Sequence, residues 1–224
     1  MRSISRIAML SLLLVSYAHA AAKPHVISFG KWLPVKWMVG PTETAVVNIK
    51  IRSLYVDGKL KEFTTGDPHD VTDRAFVVRR VFRLNDRLPV EENQAPRWKW
   101  QKGGWLTVDR STGRVSQLNL PEFDPFYSEA AWFRDYVAYC GVSDDGEKLY
   151  AVVSELGRKK PVLKRDLGAA VDSDSPTAQC AAPEWQRQPV RVTFQPRRGD
   201  KLTYTVRGRV ADVAAAEEKE DGNQ

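Results

Sequence analysis

One neighbourhood of the sequence gathers groups that could do acid–base or metal chemistry. In Gly66-Asp67-Pro68-His69-Asp70-Val71-Thr72-Asp73, one imidazole and three carboxylates fall within seven residues. Such a set could bind a divalent cation or pair an acid with a base, and a secreted hydrolase built on His69 with Asp67, Asp70 or Asp73 is the enzymatic alternative. The same stretch has Gly, Pro and Asx residues where an ordinary turn needs them, and it reads as a polar loop between strands. No HExxH, His-x-His or second clustered histidine accompanies it, so no metal site is assigned. Asp144, Asp145 and Glu147 have calcium-loop composition without the alternate-position spacing of the ligands, and read as a β-turn. With no G-x-S-x-G elbow and no glycine-rich phosphate loop, no catalytic residue is assigned and no cofactor is implied.

Tryptophan and cysteine are the more informative residues. Trp98 and Trp100 are two apart, so on a strand they share a face, with Arg97, Lys99 and Gln101 on the other. Trp105 follows after Gly103-Gly104. Exposed, such rings stack on sugars or prolines; buried, they supply core area. Trp98, Trp100 and Trp105, with His69 and Asp70, are the candidate ligand-binding residues. The two cysteines, Cys140 and Cys180, form a disulfide in an oxidising compartment, or else Cys140 serves as a nucleophile with His69 as base.

The compartment follows from the first residues. Arg2 and Arg6 precede an apolar run from Ile7 to Ala18, and Ala18-His19-Ala20 places small residues at −3 and −1 of a cleavage point. The apolar run is shorter than the roughly 20 residues that cross a bilayer, so residues 1–20 read as a cleaved signal peptide and the mature chain as lacking a transmembrane segment. Of the 224 residues, 204 remain, with formal charge +4 after the two leader arginines are removed from +6. That charge is mild and interspersed. The nearest basic cluster is Arg79, Arg80, Arg83 and Arg87. On a strand Arg79 and Arg83 would share a face with Val77 and Val81, as in an ordinary half-solvated sheet, which argues against nucleic acid. The expectation is a periplasmic or secreted, non-catalytic domain that binds a protein, peptide or glycan outside the cytoplasm, or an envelope component.

The elements that must position these residues are strands. Val47–Arg52 alternates apolar and polar residues strictly, and Asp57-Gly58 turns it into Lys59–Phe63. Phe76–Leu84 is rich in β-branched and aromatic residues. Further strands are expected at Trp98–Trp100, Trp105–Val108, Val115–Leu118, Tyr136–Val142, Lys148–Leu156, Val162–Leu167, Val190–Phe194 and Leu202–Val206. Gly103-Gly104, Thr112-Gly113, Asp144–Gly146 and Gly157 are their turns. Ser128–Tyr136 admits either a short capped helix or a strand. Residues 169–189 read as a long loop tied down by Cys180, and the acidic tail 214–224 as disordered. The fold class is therefore all-β, in antiparallel meanders within a single domain over 21–213.

Two segments, 97–120 and 132–168, follow a common strand–turn–strand grammar, with Gly113 and Gly157 at matching turns 44 residues apart. That spacing suits propeller blades. Trp132, Arg134-Asp135, Tyr136–Tyr139, Ser143-Asp144-Asp145-Gly146 and Lys148-Leu149 resemble the repeat of TolB-like β-propellers, which implies a blade there and loop-end binding. Asp144 stands where that repeat has proline. A partial propeller, a β-sandwich and an open meander all fit the pattern, and the sandwich would turn Trp98 and Trp100 inward.

Overall fold

The computed structural model describes residues 24–38, 46–85, 95–170, 178–208 and 210–213. The leader and the acidic tail lie outside them. Fifteen strands and no helix are found among the described residues, and all pairings but one are antiparallel.

The first half of the chain closes a barrel-like sheet from β2 (Leu33–Met38), β3 (Val46–Val56), β4 (Lys59–Thr72), β5 (Ala75–Asn85) and β6 (Trp98–Asp109). The ring closes where β2 meets β6 in parallel, with Trp37 beside Trp100. β1 (Ile27–Phe29) adds to β3 and β7 (Val115–Leu118) to β6. Leu54, Phe76, Val78, Leu106 and Val108 form its buried cluster. Asp57 and Gly58 both take positive φ in the β3–β4 turn, as a two-residue hairpin whose twist matches its strands requires.

The second half is a sandwich of two four-stranded antiparallel meanders. One contains β8 (Ala130–Phe133), β9 (Tyr136–Val142), β10 (Lys148–Glu155) and β11 (Leu163–Ala169). The other contains β12 (Glu184–Arg187), β13 (Val190–Phe194), β14 (Leu202–Arg207) and β15 (Val210–Val213). Ala138, Leu149 and Val153 of the first share one core with Val192, Phe194 and Val206 of the second. Each fully buried side chain of this kind stabilises by roughly 1.5–3 kcal/mol.

Several sequence expectations change. Gly103-Gly104 makes no turn: β6 runs through it as one strand, with an irregularity between the Arg79–Trp105 and Val81–Lys102 pairs. A Cβ at Gly103 would meet the Phe82 ring at 3.2 Å, so the glycine serves close approach. The segment 97–120 thus holds two strands of the barrel sheet, and the three-strand correspondence with 132–168 does not form. What faces 132–168 is the β12–β15 meander. Gly66–Thr72 is not a loop but the bulged end of β4, where Gly66 takes φ +70° between the Thr65–Arg79 and His69–Val77 pairs. No helix forms at Ser128–Tyr136; Arg134-Asp135 turns β8 into β9. The loop before Glu184 is shorter than expected because β12 occupies its end, and β15 follows the last expected strand.

The loop is tied as expected. Cys140 in β9 and Cys180 are disulfide-bonded with Cα atoms 6.0 Å apart, and both are buried in the sandwich core. No free cysteine remains, so the Cys140–His69 nucleophile is excluded. Reduction or Cys140→Ser should lower the unfolding free energy by about 4 kcal/mol, the chain-entropy value for the 40-residue separation. Denaturant midpoints with and without reductant measure this, and a native chain alkylated without reductant would contradict the bridge.

Candidate functional site

The candidate residues lie on two strands of the barrel sheet, β4 and β6, flanking β5. Alternation sends Val77, Arg79 and Val81 to one face of β5, and Phe76 and Val78 to the other, where they join the barrel cluster. By register His69 sits beside Val77, Trp105 beside Arg79, and Trp100 beside Arg83.

The middle of this face is covered by residues 121–133. His69 Nε2 donates to the carbonyl of Arg134 at 2.8 Å, which places a ring proton on Nε2. The His69 ring stacks on Trp132 at 5.9 Å between centroids, and Trp132 meets Trp105 edge-on at 5.3 Å. Arg79, only 6% exposed, lies over Phe123 at 4.8 Å and Trp105 at 5.7 Å, and donates from Nη2 to the Pro125 carbonyl at 3.0 Å. Burial draws its pKa down to about 10 against the opposing pull of Glu129 and Asp124. Nearby, Lys102 pairs with Glu129 at 3.1 Å and lies over Trp37, which in turn stacks on Phe126.

His69 and Trp105 are therefore brought together, but as parts of the joint between barrel sheet and sandwich. Asp70 turns away to pair with Arg110 at 2.6 Å. Asp67, its side chain 94% exposed, approaches Arg52 at 3.8 Å. Asp67 and Asp70 thus have partners on different elements instead of converging on the imidazole, and no hydrogen bond or ion pair joins Asp73 to it. Among the described residues no group of three His, Cys, Asp or Glu side chains comes together to hold a metal.

Trp98 and Trp100 lie at the other end of β6, five or more residues from Trp105, a separation of about 15 Å at strand rise. Arg83 lies over both rings, 5.2 Å from Trp98 and 5.6 Å from Trp100. Trp100 packs edge-on to Phe63 and is half-buried, whereas Trp98 is 55% exposed. The result is an aromatic–cation–aromatic surface anchored at one end and open to solvent at the other.

Sequence reasoning missed Arg79, Arg83 and Trp132. The first two had a visible signal, since Arg79 and Arg83 share the parity of Val77 and Val81, and that parity marks a covered face. Trp132 entered only as the aromatic of the repeat-like segment, and nothing local to it pointed to His69 or Trp105. No family model, curated protein or solved structure matches the chain.

Arg79→Ala should cost about 3 kcal/mol, through loss of a charge-assisted hydrogen bond and two cation–aromatic contacts. Arg79→Met, which keeps the volume without a charge to bury, should cost distinctly less. Urea denaturation of the two variants decides between a buried charge that organises the joint and one that is incidental. His69→Ala should unfold in parallel with a smaller loss of about 1 kcal/mol and leave any activity unaffected.

Proposed function

We propose that the chain is an exported, non-catalytic domain that binds a partner in the periplasm or beyond the cell. The observation that carries the binding half is the Trp98–Arg83–Trp100 surface. Most other tryptophans have their rings at least half covered in the fold, whereas Trp98 spends a large ring on solvent. A rigid aromatic ring backed by a guanidinium suits a sugar ring or a proline, which present flat C–H faces to a π-surface. A single exposed hydrophobic residue needs no explanation by itself, but one ordered by a cation and continuous with a packed aromatic supports the reading of a recognition surface.

The export half rests on residues 1–20 and on the disulfide. A buried bridge of this kind persists in oxidising compartments and is rare in the cytosol. Among the described residues no helix is long and apolar enough to cross a membrane. The four-stranded meander β8–β11 is where a TolB-like blade is proposed, with no bearing on the ligand. The hydrolase alternative loses support, because His69 is committed to Arg134 and Trp132 while Asp70 and Asp67 have cationic partners of their own.

Two measurements test the proposal. Mass spectrometry of exported protein should give an N-terminus at Ala21, or at Lys23 after cleavage behind Ala22; an intact leader on cytosolic protein would overturn the export reading. On glycan and proline-rich peptide arrays, Trp98→Ala should abolish the strongest signals of the wild-type chain, while its stability changes by no more than about 0.5 kcal/mol. Array binding that survives the substitution would place recognition elsewhere.

A further inference from the structure

Arg79 and Arg83 stand on the same face of β5, and each lies against two aromatic rings. Arg79 also has an acceptor, since its Nη2 donates to the Pro125 carbonyl at 3.0 Å. Arg83 is exposed, and among the described residues it makes no hydrogen bond and no ion pair. Two described acids on adjacent elements are engaged elsewhere: Glu62 of β4 is held by Arg80, and Glu129 of the covering segment by Lys102, each at 3.1 Å. A guanidinium can only donate, and its planar fork matches a carboxylate bidentately. The end of β5 thus presents a cation ordered by two indoles whose donors find no acceptor among the described residues.

The rings define what else a ligand needs. The Arg83 guanidinium carbon is 5.2 Å from the Trp98 centroid and 5.6 Å from that of Trp100, so the cation takes the space between the two indoles. That leaves no aromatic-walled slot for a proline, the feature on which proline-rich recognition depends. Trp98 is 55% exposed, and its open surface suits the flat C–H face of a pyranose. Trp100 is fixed by Phe63, edge-on at 5.1 Å, which makes the surface rigid at its base. A sugar ring that carries a carboxylate satisfies both the indole and the guanidinium.

We propose that the Trp98–Arg83 surface recognises an acidic glycan through a hexuronic acid residue. The pyranose stacks on Trp98, and its carboxylate, at the edge of the stacking face, accepts from the Arg83 fork. This rests on the Trp98 surface being the recognition site, and it narrows the ligand from any flat C–H face to one with a negative charge beside it. A neutral sugar offers Arg83 only hydroxyls, which are weaker acceptors than an ionised carboxylate.

Calorimetric titration of the full mature chain with trigalacturonate and its trimethyl ester tests this, because esterification removes the charge and keeps the sugar rings. Trigalacturonate should bind saturably, and the ester about tenfold more weakly. Arg83→Met should bring the acid down to the level of the ester. Arg83→Lys should fall in between, since an ammonium keeps the charge without the fork. Trp98→Ala should abolish binding of both. Arg198→Ala, which removes a charge from the exposed loop before β14, should change neither. A loss there as large as at Arg83 would assign the binding to the overall charge of the chain and overturn the proposal. Equal binding of acid and ester, both dependent on Trp98, would keep the recognition surface and overturn its acidic preference. Acid binding that survives Trp98→Ala would overturn surface and preference together. Failure of trigalacturonate to bind would overturn the preference, whatever Trp98-dependent ligand the arrays reveal.

Discussion

A guanidinium taken out of water must be given partners, and at Arg79 that requirement organises the molecule. Its face of the barrel sheet cannot be covered by aliphatic side chains alone. It needs a hydrogen-bond acceptor and aromatic surface against it, which Pro125, Phe123 and Trp105 supply. The covering segment is then held in its own right. Asp124 accepts from the amides of Phe126 and Tyr127, and Ser128 Oγ donates to the Cys140 carbonyl at 2.7 Å. The Val142 amide donates to the Glu122 carbonyl, an approach possible because Gly141 has no side chain: a Cβ there would sit 2.8 Å from the Glu122 carbonyl oxygen. One buried charge thus sets where the 121–133 segment lies and, through it, where β9 begins the sandwich.

The same chemistry recurs at lower stakes. Lys102 lies over Trp37, Arg52 over Phe29 and Trp32, and Arg83 over Trp98 and Trp100. Each exposed or half-exposed pair contributes about 0.5–1 kcal/mol, and a desolvated one more. The gradient from Arg79 to Arg83 along one face of β5 is therefore a gradient of coverage. At the Arg79 end the aromatic rings and the cation are spent on folding. At the Arg83 end the same arrangement is left open, and a partner can complete what residues 121–133 complete at Arg79.

What could be read from the sequence follows from what is local. The Asp57-Gly58 hairpin, the Asp144–Gly146 turn, the strands around them and the Cys140–Cys180 bridge depend on short-range chemistry or on the only pairing available, and all are present. Two adjacent glycines signal a turn when considered alone, whereas here Gly103 admits the Phe82 ring against β6. Gly66, Asp67 and Pro68 are turn residues and on their own predict a loop at His69; a bulge uses the same residues within a strand. Arg79 reads as half-solvated from its sequence, because alternation tells which residues share a face but not whether that face is covered. The cover comes from a segment more than 40 residues away, and no periodicity within β5 carries that information.

The meander β8–β11, like β5 of the barrel sheet, meets demands on both sides. On one face Ala138, Cys140, Ala151 and Val153 meet the β12–β15 sheet; on the other Val137, Tyr139 and Val152 meet Leu120, Phe123 and Trp132. That is why β9 and β10 are buried almost throughout instead of at alternate residues, and why Tyr136–Val142 contains no charged side chain. A sheet covered twice has no free face to offer, and the open aromatic surface near Trp98 accordingly lies on the barrel. At the margin of the meander, Trp132 is the ring through which His69 and Trp105 are joined to the sandwich.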